Sequence, residues 1–190
     1  MPDAFVGIDP ALSNTGVVCL SSEGVLLAAC NGADAYGDVN PRELPPAVRH
    51  IRQANFIADF LRRFSVLLVV YEDYAYNSVH RGYDLAEFGG VLKSALHRRC
   101  KKPPLLVAPA RVKRFAVGRG DADKTMMAER AFAACPQLRK AAGRRLDVCD
   151  AFFLARYGWY MTHPEKAFMA DRGVPNLRQR LEMTQEERHD

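Results

Sequence analysis

Val66-Leu67-Leu68-Val69-Val70-Tyr71-Glu72 is the stretch on which the fold turns. Six apolar residues without alternation, closed by a carboxylate, read as a strand covered on both faces, the pattern of a parallel strand in an α/β sheet. Just upstream, Val48, Ile51, Asn55, Ala58 and Leu61 recur at helical spacing and predict an amphipathic helix over about 46–64. Before it come three short apolar runs, 4–9, 15–21 and 24–31, separated by Asn14-Thr15 and by Ser22-Glu23-Gly24. Those separators are turn chemistry, so the runs read as an antiparallel meander. Strand, helix, strand in that order implies a right-handed crossover, which sets 66–72 parallel to 4–9.

Downstream, Leu85, Phe88, Leu92 and Leu96 mark a helix over about 83–99, Leu105 to Ala108 a short strand, and Leu146 to Tyr160 a last helix. Gly89-Gly90 costs that first helix ~1 kcal/mol per glycine, a cost most readily kept where another helix or a symmetry mate packs close. Lys113 to Gly120 is basic and glycine-containing and leads into a helix over about 121–135, with Asp121 or Asp123 near its N-terminus. The expectation is one α/β domain with a mixed sheet over residues 1–160, followed by an extension, 161–190, of unassigned role. No apolar run approaches the ~20 residues of a membrane span. The N-terminus lacks a basic segment followed by an apolar one, so the protein is expected to be soluble and cytoplasmic. Five cysteines form no CxxC or Cys/His pair at zinc spacing. Cys19, Cys30 and Cys149 lie in apolar segments and are expected to be buried reduced thiols.

Charge is unevenly spread. From Lys93 to Arg145 there are 15 Lys/Arg against Asp121, Asp123 and Glu129, a net of +12, while the rest of the chain carries 12 basic and 19 acidic residues, a net of −7. Such asymmetry points to a polyanionic partner, nucleic acid above all.

Four acids stand at the ends of apolar segments: Asp9, Glu72, and the pair Asp147 and Asp150. A buried carboxylate is costly unless neutralised, and hard divalent cations neutralise it well. Asp9 and Glu72 would emerge on one edge of the sheet if their strands are parallel neighbours. Asp147 and Asp150, at i and i+3, share a helix face. Singly, Asp9 is better explained as a turn residue and Asp147 or Asp150 as a helix-terminus acid, and Glu72, like its neighbour Asp73, reads equally as a solvated strand-end charge. Together they match what two-metal phosphodiester hydrolysis requires.

Gly7-Ile8-Asp9-Pro10 with Thr15-Gly16, then Glu72, Gly89-Gly90-Val91, the segment from Arg111-Val112-Lys113 through Val117-Gly118-x-Gly120 to Asp123-Lys124, and Asp147-x-x-Asp150-Ala151 form an ordered set. Over about residues 4–158 it resembles the RuvC family of Holliday-junction resolvases. The resemblance implies a ribonuclease-H-like fold, a mixed five-stranded sheet with helices on both faces. It also implies that Asp9, Glu72, Asp147 and Asp150 are metal-binding catalytic acids using Mg²⁺ or Mn²⁺, two per site. Lys113 and Lys124 would contact the scissile strand or support the transition state. A homodimer would act on branched DNA in the cytoplasm of a bacterial or phage-infected cell, with the Gly89-Gly90 helix as its dimer region. Arg111, Arg114, Arg119 and Arg81 would join the two lysines in binding DNA. The family places an aromatic three residues after the glutamate; here that position is Ala75, and flanking Tyr74 and Tyr76 are its candidate replacements. Ala11 stands where the family has glycine. Competing readings are a nuclease for flaps or RNA-containing branches, and a junction-binding protein that does not cut. An actin-like ATPase, which Gly7-Ile8-Asp9 with Thr15-Gly16 loosely matches, is not expected, because a single domain of this length lacks the second lobe.

Overall fold

The alternating faces of the first strand organise the molecule. In the computed structural model, which describes residues 1–73, 82–143 and 145–163, β1 (Asp3–Asp9) sends Val6 and Ile8 to one side and Phe5 and Gly7 to the other. It pairs antiparallel with β2 (Gly16–Leu20), which pairs antiparallel with β3 (Leu26–Asn31). On its other edge β1 pairs parallel with β4 (Ser65–Glu72), and β4 with β5 (Leu105–Val107). The sheet order β3-β2-β1-β4-β5 is the mixed five-stranded arrangement expected.

Helices cover both faces. α1 (Pro46–Phe60) and α2 (Gly82–Cys100) pack on Val6, Ile8, Val17, Cys19, Val69 and Tyr71. On the opposite face α3 (Pro109–Val117), α4 (Lys124–Ala134), α5 (Leu138–Ala142) and α6 (Asp147–Thr162) pack on Phe5, Val18, Leu20 and Val70. α6 is the central helix of the fold, with 13 of its 16 residues buried. No described helix is long and apolar enough to cross a membrane.

Three glycines set how close α6 lies. A Cβ on Gly7 would stand 2.0 Å from the Ala151 carbonyl oxygen, and one on Gly16 2.1 Å from that of Asp147. Gly158 repeats the device from the helix side, where a Cβ would meet Val70 at 2.6 Å. Gly7→Ala or Gly16→Ala must therefore displace helix backbone, not a side-chain tip. Each is expected to lower unfolding free energy by about 1–3 kcal/mol, measured by urea denaturation; a loss under 0.5 kcal/mol would contradict this packing.

The sequence reading needs five corrections. The buried face of α1 is His50, Gln53, Ala54 and Ile57, with Leu61 buried just beyond it, while Val48 and Ile51 are about half exposed. The helix burials follow i, i+3, i+4 spacing as expected, but in a different phase, because Gln53 satisfies its amide with backbone groups of the 10–15 turn. α1 ends at Phe60 and continues as a 3-10 turn over Leu61–Arg63. Part of the basic segment 113–120 is helical: Pro109 opens α3, Val112, Phe115 and Ala116 bury one face, and Gly118 closes it at φ +87°. α5 was not foreseen; it is a single short turn. All five cysteines are free thiols, with Cys19, Cys135 and Cys149 buried but Cys30 and Cys100 only partly so.

Candidate active site

Pairing of Ile8 with Tyr71 brings Asp9 and Glu72 side by side where β1 and β4 end. A strand's period of two puts Asp9 on the same face as Phe5 and Gly7, and Glu72 on the same face as Leu68 and Val70. That is the face α6 covers. Gly16, opposite Asp9 in the β1–β2 ladder, lies beneath the Asp147 carbonyl, so the first turn of α6 sits over the end of β1. Asp147 and Asp150 are both buried there.

Both oxygens of Asp147 are occupied. Lys124 Nζ donates to Oδ1 at 2.5 Å, and Asn14 Nδ2 donates to Oδ2. Lys124 is the first residue of α4, which is capped by Asp123 through a bond from Met126 N at 2.8 Å. Of the two capping candidates, Asp123 therefore caps, and Asp121 pairs with Arg119 through two bonds of 2.7 Å.

Asp9, Glu72 and Asp150 hold their protons more tightly than ordinary carboxylates do. Burial pushes Asp9 well above the usual carboxylate range, and the charges of Glu72, Asp150 and Asp147 push it further. Glu72 is raised to about 7 by burial and then Asp150, with Lys113 and Lys124 opposing. Asp150 is raised to about 6 by burial, against the pull of Lys124 and Lys113. For Lys124, burial opposes the charge, but its bond to Asp147 and the nearby Asp9 and Asp150 outweigh that and raise it. The four acids thus lie within electrostatic reach of one another and of Lys124, with Lys113 acting on Glu72 and Asp150, and two ammonium groups do not balance four carboxylates. Oxygen donors in excess of positive charge suit a hard divalent ion. Among the described residues no three acid, histidine or cysteine side chains stand close enough to hold one ion, and Asp147 is neutralised by Lys124 instead.

The remaining candidates divide. Arg111, Lys113 and Arg114 lie along α3, partly buried, and Arg119 is exposed but tied to Asp121. Arg99 bonds the carbonyls of Leu61 and Phe64 at 2.9 and 3.1 Å, and Arg145 pairs with Asp34, so these two members of the basic segment are engaged within the chain. Tyr74, Tyr76, Arg81, Arg144 and the extension from 164 lie outside the described residues.

A layer behind the acids escaped the sequence reading. Buried Gln53 accepts from Thr15 N at 3.1 Å and donates to Leu12 O at 3.1 Å and Tyr36 Oη at 3.3 Å. Asn31 Nδ2 donates to Asn14 O at 3.0 Å, and Thr15 Oγ1 to Ala11 O at 2.9 Å. Together they fix the turn that aims Asn14 at Asp147. The only advance signal was a polar residue, Gln53, in helical phase with Ile57 and Leu61.

No known family matches the chain by sequence, and no curated protein does. Solved structures match by shape. RuvC of Thermus thermophilus superposes with a TM-score of 0.61 at 22% identity, over 86% of this chain and 97% of that one. The same protein in complex with a Holliday junction substrate gives 0.63 at 22% identity, over 86% and 96%. The fold is that of RuvC, ribonuclease-H-like, as the sequence implied.

Proposed function

We propose that this chain is a metal-dependent, structure-selective DNA endonuclease that resolves four-way junctions by paired symmetric nicks. The observation that carries the reading is Asp9 and Glu72 on neighbouring parallel strands beneath the first turn of α6, which presents Asp147 and Asp150 with Lys124 bound to one of them. Those four acids would hold Mg²⁺ or Mn²⁺, which when bound supplies an activated water and stabilisation of the leaving 3′ oxygen. Lys124 would pass from Asp147 to a non-bridging phosphate oxygen once the acids are otherwise neutralised, and Lys113 would act beside it. Asn14 would keep the Asp147 carboxylate turned toward the site throughout. Arg111 and Arg114 on α3 would position the DNA arms by phosphate contacts, without reading bases. The fold likeness supports this reading, and the solved complex shows that a protein of this shape accommodates a Holliday junction.

Paired nicks need two sites, and the reading includes a homodimer through α2. Its outward row carries Tyr83, 87% exposed, and Gly90, whose missing Cβ would meet nothing within 4 Å in this chain. The test is a synthetic four-way junction incubated with and without Mg²⁺, beside a flap and a linear duplex. Nicks at symmetric positions on two opposed strands, in Mg²⁺ only, are expected. Equal cutting of the flap would favour the broader branched-substrate reading, and tight binding without nicking in Mg²⁺ or Mn²⁺ would refute the nuclease.

A further inference from the structure

Behind the turn that follows Asp9 lies a pocket of about 650 Å³, within the roughly 300–1,000 Å³ of small-ligand sites. Leu12, Pro41 and Leu85 supply apolar wall, and Arg42 and Arg49 supply charge. Arg49 Nε is buried with no hydrogen-bond partner, and among the described residues neither guanidinium forms an ion pair with a carboxylate. A buried donor left without an acceptor is costly and marks a place where a ligand atom is missing. Two unpaired guanidiniums in one concavity match a phosphate, which arginine grips in forked geometry. The apolar wall matches the flat face of a base. Asp84, also in the lining, is a hydrogen-bond acceptor for an exocyclic amine.

We propose that this pocket receives one unpaired, amino-bearing nucleotide of the substrate strand, its phosphate on Arg42 and Arg49, its base against Leu12 and Leu85, and its amine on Asp84. Cytosine, adenine and guanine carry that amine; thymine has none, its one edge donor being the ring N3–H set between two carbonyls. The pocket lies on the α1/α2 side of the same sheet edge whose other side carries the acids. Asn14 joins the two, lining the pocket and donating to Asp147. A strand crossing the edge would place one phosphate at the acids and drop a neighbouring base into the pocket. A base already unpaired at a branch point costs least to accommodate. The pocket therefore deepens the endonuclease reading and rests on it for its substrate, though not for its test.

Full-length protein with labelled leucine methyl groups is titrated with deoxycytidine 5′-monophosphate, thymidine 5′-monophosphate and inorganic phosphate, following Leu12 and Leu85 by NMR. Saturable shifts with the cytidine nucleotide are expected, with weaker binding of the thymidine nucleotide and of phosphate alone. Arg42→Ala, at an exposed position, should weaken the cytidine nucleotide about tenfold with melting unchanged. On a four-way junction the same variant should flatten the salt dependence of log K by about 0.7–0.9. Arg62→Ala, in a separate groove between α1 and α2, should do neither. Unmoved Leu12 and Leu85 methyls, or equal response to phosphate alone, would overturn the nucleotide pocket even if junctions are nicked. Nucleotide binding as described in a protein that nicks no branched DNA would overturn the endonuclease reading and leave the pocket standing.

Discussion

Asp147→Asn is expected to slow junction nicking by at least about a thousandfold, some 4 kcal/mol of barrier, while leaving junction binding nearly intact. The residue is 5% exposed and each of its oxygens already has a fixed partner, Lys124 on one and Asn14 on the other. Asparagine keeps the shape but removes the charge, so Lys124 loses its counter-ion and the acid set loses a ligand. Binding persists because it is carried by phosphate contacts over the basic face. Asp9→Asn should match it, and the double variant should be no worse than either single one, because groups that act as a unit do not add. Asn14→Ala should fall between, since it frees the carboxylate to turn without discharging it. Asp34→Asn is the control: it breaks the bridge to Arg145, a pair about half exposed on both sides, and such surface pairs contribute ~0–1 kcal/mol. Quantified nicking of a labelled junction in Mg²⁺ decides it. Asp147→Asn activity within tenfold of wild type would remove Asp147 from the mechanism.

The fold was readable because its strands differ in kind. An uninterrupted run at 66–72 after a helical period leaves few topologies, and the parallel β1–β4 pair followed directly. The acids stood out because Asp9 and Glu72 close apolar runs and Asp147 and Asp150 open one. What defeated the reading was polarity put to structural use. Gln53 and His50 look like a solvent face but are fully buried, which displaced the phase of α1. Arg111, Lys113 and Arg114 hid a helix whose core is only Val112, Phe115 and Ala116, although Pro109 and Gly118 bracket it. Gly7 and Gly16 were visible as motif letters, yet their purpose, admitting the backbone of a helix more than 130 residues away, exists only in three dimensions. The pocket was invisible for the same reason: Arg42, Arg49 and Asp84 are separated in sequence by ordinary surface composition.

The proposed catalytic acids should also destabilise the metal-free protein near neutrality. Glu72 is raised from 4.5 to about 7 and Asp150 from 3.8 to about 6, by burial first in both cases, whereas in the unfolded chain both return to ordinary values. A folded state that holds protons more tightly than the unfolded state is favoured at low pH. The contribution is fully present below about pH 4 and is lost as pH rises through 6 and 7. For Glu72 the full effect is on the order of 3 kcal/mol, and because the acids interact their losses will not sum. His50 works in the opposite sense over part of the range: burial lowers it, so its neutral form is favoured and stability falls as pH drops through the unfolded value of 6.5. The measurement is therefore the difference between wild type and Glu72→Gln, in urea denaturation with chelator from pH 5 to pH 8. Glu72→Gln should gain on wild type steadily across that range and be the more stable protein at pH 8, although it nicks nothing. Mg²⁺ added at pH 8 should close most of that gap, stabilising wild type by about 2.7 kcal/mol at a hundredfold excess over Kd and the variant much less. Parallel profiles with and without Mg²⁺ would mean that Glu72 neither carries the unbalanced charge nor binds the ion that relieves it.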